Sequence, residues 1–136
     1  MIDVCIDTDV ASLIQKQRQP AWTHAHLAGN RIWLTFVTVG ELAKWTEIRA
    51  WGSPARRRLE SWIAARGILP YDVEVARVWG RLAATAQLRG RPRPQNDTWI
   101  AACCIRHDVP LLTLNVKDFG DFAEHDGLRL LRAPAS

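Results

Sequence analysis

The sequence lacks the long apolar runs and the paired cysteines that would mark a membrane protein or a small secreted one. No stretch approaches the ~18 consecutive apolar residues of a membrane-spanning helix. Asp3 and Asp7 interrupt the first apolar stretch, which argues against a secretory signal. The three cysteines form neither a disulfide framework nor a zinc site, because their number is odd and two of them, Cys103 and Cys104, are adjacent. The sequence therefore predicts a cytoplasmic protein with reduced, buried thiols and no membrane contact.

Two common signatures of catalytic sites are also missing, a glycine-rich phosphate loop and a Gly-x-Ser-x-Gly elbow. The charge balance is mildly basic, with 18 Lys and Arg residues against 14 Asp and Glu, a formal net charge of +4. Arginine supplies 15 of those 18 basic residues, and its planar guanidinium suits bidentate contact with phosphate. A net charge of this size is ordinary for a soluble protein, so it favours a polyanionic partner only slightly.

The length and the pattern of apolar residues predict one α/β domain. A chain of 136 residues with 48% hydrophobic content can build one core but not two. Short β-like runs alternate with longer helical patterns, which is typical of α/β proteins. We predict a single domain over residues 1–132 and a frayed tail at 133–136.

The expected elements follow from the spacing of apolar residues and from the positions of glycine and proline. Strands are predicted at 1–6, 31–37, 110–114 and 128–131, with a short strand or turn at 67–70. Helices are predicted at 11–18, 20–27, 38–52, 54–66, 72–88 and 96–106. No helix is predicted between residues 115 and 127.

Four acidic residues stand where an apolar run gives way to a helix or turn: Asp7, Glu41, Asp97 and Asp118. If the runs are parallel strands, their carboxyl ends lie along one edge of the sheet, where ligands bind in open α/β folds. The four carboxylates are then expected to converge. Apolar neighbours would partly desolvate them, which is costly unless cations neutralise the charge. Oxygen ligands alone favour Mg²⁺ or Mn²⁺ over zinc.

Each acid also has a purely structural explanation. Asp9 and Asp97 stand near helix starts, where an aspartate can accept backbone N–H bonds. Thr38 and Glu41 have the spacing of a capping box, and Asp118 could end a strand in an Asx-turn. For any one residue the structural role is at least as good an interpretation. Taken together, their placement on the same side of the predicted sheet favours a shared site.

Two hydrolytic mechanisms are compatible with these carboxylates. In the first, they hold one or two metal ions that activate water for attack on a phosphodiester. In the second, Asp7 is a nucleophile and Asp9 an acid, because the segment from Asp7 to Val10 resembles the opening motif of haloacid-dehalogenase-like phosphatases.

Over nearly its whole length the sequence resembles PIN domains, specifically the VapC-type toxin ribonucleases of bacterial toxin–antitoxin pairs. The segments that carry this resemblance are Ile6-Asp7-Thr8, Thr38-Val39-Gly40-Glu41-Leu42, Asn96-Asp97-Thr98-Trp99-Ile100-Ala101-Ala102 and Thr113-Leu114-Asn115-Val116-Lys117-Asp118-Phe119. The resemblance implies a three-layer α/β/α domain with a central, mainly parallel sheet. It also implies an acidic quartet that binds metal, made of Asp7, Glu41, Asp97 and Asp118. Thr8 and Asn115 match the polar residues that support the quartet, whereas Asp9 departs from the family's more usual asparagine or serine.

The same resemblance implies a Mg²⁺- or Mn²⁺-dependent endoribonuclease that cleaves transfer or ribosomal RNA and inhibits translation until a cognate VapB-type antitoxin blocks it. It further implies a homodimer and a larger toxin–antitoxin complex. The phosphatase alternative weakens, because its motif ends here in Ala11 and no suitable lysine with paired aspartates follows. Another alternative is a non-catalytic PIN module that binds RNA or a partner, although such modules usually lose one or more of the acids.

Two further sets of residues have a predicted binding role. Arg89, Arg91 and Arg93 form a loop just before Asp97, which predicts contacts with the RNA backbone. A solvated loop is nearly as good an interpretation.

Three tryptophans form the second set. By resemblance, Trp45, Trp51 and Trp62 lie on the two helices that line the groove for an antitoxin segment, and apolar walls of this kind capture amphipathic partners. Packing in the core is the default role for each of them.

Overall fold

The centre of the fold is a parallel β-sheet. The computed structural model describes residues 1–134, so the last two residues of the predicted frayed tail, 135–136, lie outside the described residues. The strands are β1 (Asp3–Ile6), β2 (Arg31–Leu34), β3 (Gly67–Ile68), β4 (Leu111–Leu112) and β5 (Leu130–Leu131). Their order is β3-β2-β1-β4-β5, and every pairing between neighbours is parallel. The order reverses at β1, which makes the gap between β1 and β4 the topological switch point of the sheet.

Helices cover both faces of this sheet. They are α1 (Thr8–Gln15), α2 (Ala21–Leu27), α3 (Phe36–Ile48), α4 (Ser53–Ala64), α5 (Val73–Leu88), α6 (Gln95–His107) and α7 (Val116–His125). Successive residues of a strand point to opposite faces. Val4 and Ile6 of β1 therefore pack in one core with residues of α1, α3 and α4, whereas Cys5 packs in a second core with residues of α5, α6 and α7. The predicted three-layer α/β/α fold with a parallel sheet is confirmed.

A side-chain cap starts each helix that directly follows one of the first four strands. Asp7 caps α1, Thr35 caps α3, Asp72 caps α5 and Asn115 caps α7, each by accepting a hydrogen bond from a backbone N–H in the first turn. Such a cap satisfies one of the N–H groups that the helix leaves unpaired. Because the strands are parallel, all four caps lie toward the carboxyl edge of the sheet.

The second strand and the helix after it differ from the sequence prediction. The apolar run was expected to stay extended to residue 37, but β2 ends at Leu34 and α3 begins at Phe36. The hydroxyl of Thr35 accepts a hydrogen bond from the backbone N–H of Thr38 at 3.3 Å, so the helix starts before Thr38. The prediction that Thr38 begins the helix was wrong, because the cap outweighs the β propensity of Phe36 and Val37.

The last helix was missed. Residues 116–125 form α7, whose buried Phe119 and Phe122 are three residues apart and face the core. Asn115 caps this helix, and His125 is its last residue. The predicted strands at 110–114 and 128–131 shrink to the two residues each of β4 and β5.

The cysteines are free and buried, as the sequence predicted. Burial raises the pKa of Cys103 to about 12. A hydrogen bond with Cys104, together with burial, raises the pKa of Cys5 well above its usual range. These thiols stay protonated and unreactive near neutral pH. Within residues 1–134, no helix combines the length and the apolar character that crossing a membrane requires.

Candidate active site

A narrow pocket opens at the carboxyl edge of the sheet, where the strand order reverses. Its volume is about 50 Å³. The residues that line it are Asp7, Thr8, Asp9, Glu41, Asp97, Ile100, Asn115 and Phe119. Three of the four predicted quartet acids therefore share one pocket, together with all three predicted supporting residues. Asp118 does not line the pocket, but its charge raises the pKa of Asp97.

Asp7 is the most deeply held of the acids. Asp7 is only 3% exposed, and both of its carboxylate oxygens accept hydrogen bonds. Oδ1 accepts from the backbone N–H of Val10 at 2.9 Å, and Oδ2 accepts from the hydroxyl of Thr113 at 2.6 Å. The capping role that the sequence offered for Asp9 thus belongs to Asp7. Asp9 is exposed in the first turn of α1 and adds negative charge to the pocket.

Glu41 is oriented by two threonines. The hydroxyl of Thr8 donates a hydrogen bond to Glu41 Oε1 at 2.6 Å, and the Thr38 hydroxyl lies 3.0 Å from that of Thr8. Since Thr8 uses its proton on the carboxylate, Thr38 is the donor in the second bond. The proposed capping box of Thr38 and Glu41 was wrong, because Thr35 is the cap and Glu41 lies in the second turn of α3.

Asp97 lies in the first turn of α6, whose N-cap is Pro94 and has no side-chain cap bond. The capping hydrogen bond suggested for Asp97 is therefore absent, although its position in the first turn does favour the helix dipole. Burial and, after it, the charges of Asp118, Asp7, Glu41 and Asp9 in that order together raise the pKa of Asp97 to about 6. Burial also raises the pKa of Asp7 to about 6, against the lowering effect of its hydrogen bonds from Thr113 and Val10. The acids are thus close enough to repel one another.

Asp118 is held by the cap of its own helix. Asn115 Nδ2 donates a hydrogen bond to Asp118 Oδ2 at 2.7 Å, while Asn115 Oδ1 accepts from the backbone N–H of Asp118 at 3.3 Å. This reciprocal pair resembles a capping box. On the other side, Arg93 Nη1 lies 3.8 Å from Asp118 Oδ1. The Asx-turn expected from the sequence is in fact the start of α7.

The donor atoms suit a hard divalent cation. Carboxylate, hydroxyl and amide oxygens are the ligands that Mg²⁺ and Mn²⁺ prefer, and the mutual repulsion of the acids is what a cation relieves. Within residues 1–134, however, no three carboxylate, imidazole or thiol side chains are arranged to hold one ion. The ligand atoms are therefore of the right type for Mg²⁺ or Mn²⁺, and the carboxylates would have to move closer together to coordinate the same ion.

The three arginines of the α5–α6 loop turn toward α7. Arg89 pairs with Asp126 at 3.7 Å and Arg91 with Asp121 at 3.3 Å. Arg93 lies between Asp121, at 3.9 Å, and the quartet residue Asp118. The side chains of Arg89 and Arg93 are only 27% and 16% exposed, whereas that of Arg91 is 60% exposed. Contact with RNA stays a prediction for all three, and the ion pairs tie this loop to the helix that carries Asp118.

The three tryptophans predicted to line a groove pack partly against the core that contains α1, α3 and α4. Trp45 and Trp51 line a small cavity of about 100 Å³ between α1 and α3, but Trp62 does not. Antitoxin contact stays a prediction for all three residues.

Thr113 and Thr38 were not recognised as site residues from the sequence. Both are fully buried, and their hydroxyls act on Asp7 and on the Thr8–Glu41 pair. One signal was available, because Thr113 directly follows the apolar residues of β4, where a polar side chain reaches the carboxyl edge. Its partner Asp7 is 106 residues away in sequence, so no local pattern could reveal the bond.

In chelator, the protein is expected to lose stability as the pH rises through about 6. The folded state raises the pKa of Asp7 and of Asp97 from 3.8 to about 6, so it binds more protons than the unfolded chain over that window. Their contribution to stability is complete below the unfolded pKa and is lost above the folded one. Thermal unfolding at about pH 5 and about pH 7.5 checks this. Saturating Mg²⁺ should restore the melting temperature at the higher pH, and a melting temperature that does not change between the two would contradict the expectation.

Comparison with known protein families points to one group. Residues 4–125 match the PIN domain model. Among curated proteins, the chain is 34% identical to Ribonuclease VapC5 of Mycobacterium tuberculosis over 128 residues, 90% of this chain and 87% of that protein. It is 28% identical to Ribonuclease VapC1 of Haemophilus influenzae over 121 residues, 84% of this chain and 87% of that protein.

Solved structures show the same fold. The structure of VapBC2 from Rickettsia felis bound to a promoter DNA fragment matches with a TM-score of 0.81 and 18% identity, over 98% of this chain and 100% of that one. The structure of VapBC-5 from Mycobacterium tuberculosis, described as a toxin–antitoxin system, matches with a TM-score of 0.71 and 24% identity, over 96% and 98% of the two chains.

Proposed function

Because the chain belongs to the PIN-domain family, in its VapC group, we propose that it is a metal-dependent endoribonuclease. One observation carries the proposal: carboxylates from α1, α3 and α6 share a pocket at the carboxyl edge of the sheet, and the nearby Asp118 of α7 raises the pKa of one of them. Several partly buried carboxylates that repel one another lower the stability of the fold, so the fold alone does not explain why they are together. A cation bound between them would offset the repulsion and would explain the arrangement.

Mg²⁺ or Mn²⁺ held by Asp7, Glu41, Asp97 and Asp118 would activate water and stabilise the charge that develops on the phosphodiester oxygens. The chain's own contribution is to hold the ligands in place. Thr113 fixes Asp7 from one side and the helix N-terminus fixes it from the other. The remaining lone pairs of its oxygens stay available for a ligand.

Glu41 and Asp118 are held in position by different contacts. The Thr38–Thr8 pair directs one oxygen of Glu41 and leaves the other free to face the pocket. Asn115 and Arg93 approach different oxygens of Asp118. Supporting hydrogen bonds of this kind orient metal ligands and tune their affinity, and their loss typically costs 10- to 100-fold in metal binding or activity.

The substrate we propose is cellular RNA, transfer or ribosomal, whose cleavage inhibits translation. The relatives named above are ribonucleases, and the solved neighbours are toxin–antitoxin complexes. By analogy, this chain pairs with a VapB-type antitoxin and forms a homodimer within a larger complex.

The phosphatase alternative is less well supported by the geometry. A nucleophilic aspartate must reach the phosphoryl group, but Asp7 is 3% exposed and both of its oxygens already accept a hydrogen bond. That environment suits a fixed ligand better than an attacking group.

The test is to incubate antitoxin-free protein with total RNA in Mg²⁺, in Mn²⁺ and in chelator, and to map the new RNA ends. We expect cuts at a few discrete sites, only with metal. Asp97→Asn protein purified in the same way controls for contaminating nucleases. Folded protein that makes no cuts in either metal would refute the proposal. Hydrolysis of a phosphomonoester in a parallel assay would then favour the phosphatase, and RNA binding without either activity would favour a binding module.

A further inference from the structure

A groove leads away from the acidic pocket between α1 and α3. Its volume is about 470 Å³. The residues that line it are Asp9, Ser12, Leu13, Lys16, Trp45, Arg49, Leu114 and Asn115. Two of these residues, Asp9 and Asn115, also line the acidic pocket, so the groove and the pocket adjoin there. A polymer bound along the groove would therefore reach the edge of the pocket.

The two helices present matched rows of side chains to this path. On α1 the residues Asp9, Ser12, Leu13 and Lys16 follow the i, i+3, i+4, i+7 spacing of one helix face. On α3 the row is Glu41, Trp45 and Arg49, each four residues after the last. Each row begins with an acid at the pocket and ends with a cation. At 1.5 Å per residue, the cations lie about 10 to 12 Å along the helices from those acids.

The two cations differ from the arginines of the α5–α6 loop in having no acidic partner. Lys16 and Arg49 are exposed, and no carboxylate in the described part of the chain forms an ion pair with either of them. Arg89, Arg91 and Arg93 are instead each paired with an aspartate of α7 or its end. Lys16 and Arg49 therefore offer positive charge to an outside anion in the groove.

The groove also offers an aromatic surface. The guanidinium carbon of Arg49 lies 5.2 Å from the ring centroid of Trp45, a cation–π arrangement that holds Arg49 against the groove wall. A second open space is also lined by Arg49, together with Trp51 and the exposed Arg58. A basic path interleaved with aromatic side chains is typical of sites that bind single-stranded nucleic acid.

We propose that this groove binds the single-stranded RNA backbone that leads into the acidic pocket, with Lys16 and Arg49 contacting phosphates. This inference rests on the proposed ribonuclease function, and it specifies the surface along which the RNA substrate binds. RNA is favoured over a protein segment as the occupant because Lys16 and Arg49 are positive and Asp9, at the pocket end, is the only acid among the described residues that line the groove. The inference adds Lys16 and Arg49 to the cations predicted to contact the RNA backbone.

The experiment measures the binding of a labelled single-stranded RNA oligonucleotide over a range of KCl concentrations. Asp97→Asn serves as the background, so that the probe stays intact. The test variant is Lys16→Gln with Arg49→Gln. The control is Arg81→Gln with Arg106→Gln, which removes the same charge from two exposed positions on α5 and α6 that do not line the groove. Arg106 is, like Arg49, a cation at a helix end, so effects of the helix dipole are matched.

For the groove variant we expect affinity to fall roughly tenfold and the slope of log K against log [KCl] to fall by about 1.4, since each single-strand phosphate contact contributes about 0.7. The control variant should keep the slope of the background protein. The Arg49→Lys variant, which retains the charge, should also keep most of the slope of the background protein. Melting curves establish that every variant is folded.

Failure of this inference and failure of the ribonuclease proposal give different results. Suppose that the wild-type protein cuts RNA with metal but the groove variant keeps both the affinity and the slope. The inference is then overturned while the ribonuclease function stands, and a protein partner becomes the favoured occupant of the groove. If no protein cuts RNA but the groove variant still loses affinity, the groove is an RNA site and the catalytic proposal fails. With cutting intact, the groove variant placed in the wild-type background should raise KM and leave kcat unchanged.

Discussion

Replacing Asp97 by asparagine is expected to slow RNA cleavage by on the order of 10³-fold while making the metal-free protein more stable. Several kcal/mol of transition-state stabilisation depend on the bound metal, and each 1.36 kcal/mol is about tenfold in rate. The same substitution removes a charge that burial and four neighbouring acids oppose. At about pH 7.5 in chelator, the gain is about 1 kcal/mol once solvent screening of this half-buried group is allowed for, or roughly 3 to 5 °C in melting temperature.

The opposite signs of these two effects distinguish a functional acid from a structural one. A residue that only starts a helix would lose stability on substitution and leave cleavage unchanged. The matched control is Asp108→Asn at the other end of α6, where the residue has a left-handed conformation that asparagine tolerates. Cleavage by this control should equal that of the wild type. An Asp97→Asn protein that is folded and cleaves RNA at the wild-type rate would remove Asp97 from the site.

The positions of the acids could be predicted from the sequence because they depend on local patterns. A short apolar run followed by a polar residue marks the end of a buried strand, and in a parallel sheet all such ends share one edge. Asp7, directly after β1, was placed at the pocket on this basis, whereas Glu41 reaches the pocket from the second turn of α3 and not from the end of β2. The fold itself was predicted with the help of the PIN-domain resemblance, and strand ends were the least well predicted.

The supports of the acids could not be predicted, because they are contacts between distant segments. The bond from Thr113 to Asp7 spans 106 residues, and that from Thr8 to Glu41 spans 33. A threonine at a strand end has many possible partners, and only the fold selects one. Propensity also misled the prediction at β2, where Phe36 and Val37 favour a strand but Thr35 starts a helix.

The ion pairs of the arginine loop illustrate how one missed element hides others. Residues 116–125 contain Gly120 between two aromatic residues and follow an asparagine, a pattern that resembles a turn as much as a helix. Without α7, Asp121, which lies 3.3 Å from Arg91 and 3.9 Å from Arg93, had no predicted place. The loop arginines then looked free, and contact with RNA was the natural hypothesis. Lys16 and Arg49, at the ends of α1 and α3, have no ion pair within residues 1–134, and no sequence motif marked them.

The second large effect is expected for Thr113→Val, which should lower stability by about 2 to 4 kcal/mol at neutral pH. The Thr113 hydroxyl donates to Asp7 Oδ2 at 2.6 Å and accepts from the backbone N–H of Asn115 at 2.8 Å, and the residue is fully buried. Valine has the same shape but no hydroxyl, so it leaves a buried carboxylate oxygen and a backbone N–H without these partners. Each such loss costs about 1 to 3 kcal/mol. Denaturant unfolding in chelator measures the change.

Thr113→Ser separates the hydroxyl from the methyl group. Serine keeps both hydrogen bonds and loses one buried methyl, which costs about 1 kcal/mol. Because the Thr113 bond lowers the pKa of Asp7, its removal should raise that pKa further above about 6. The destabilisation by valine should then shrink at lower pH, where the folded state protonates Asp7 and the loss of a donor to a charged oxygen matters less. Equal losses for valine and serine at all pH values would mean that packing, and not the hydroxyl, makes Thr113 important. A loss of stability that is larger for valine than for serine, and that becomes smaller as the pH is lowered, would mean that the Thr113 hydroxyl keeps Asp7 ionised in the folded protein.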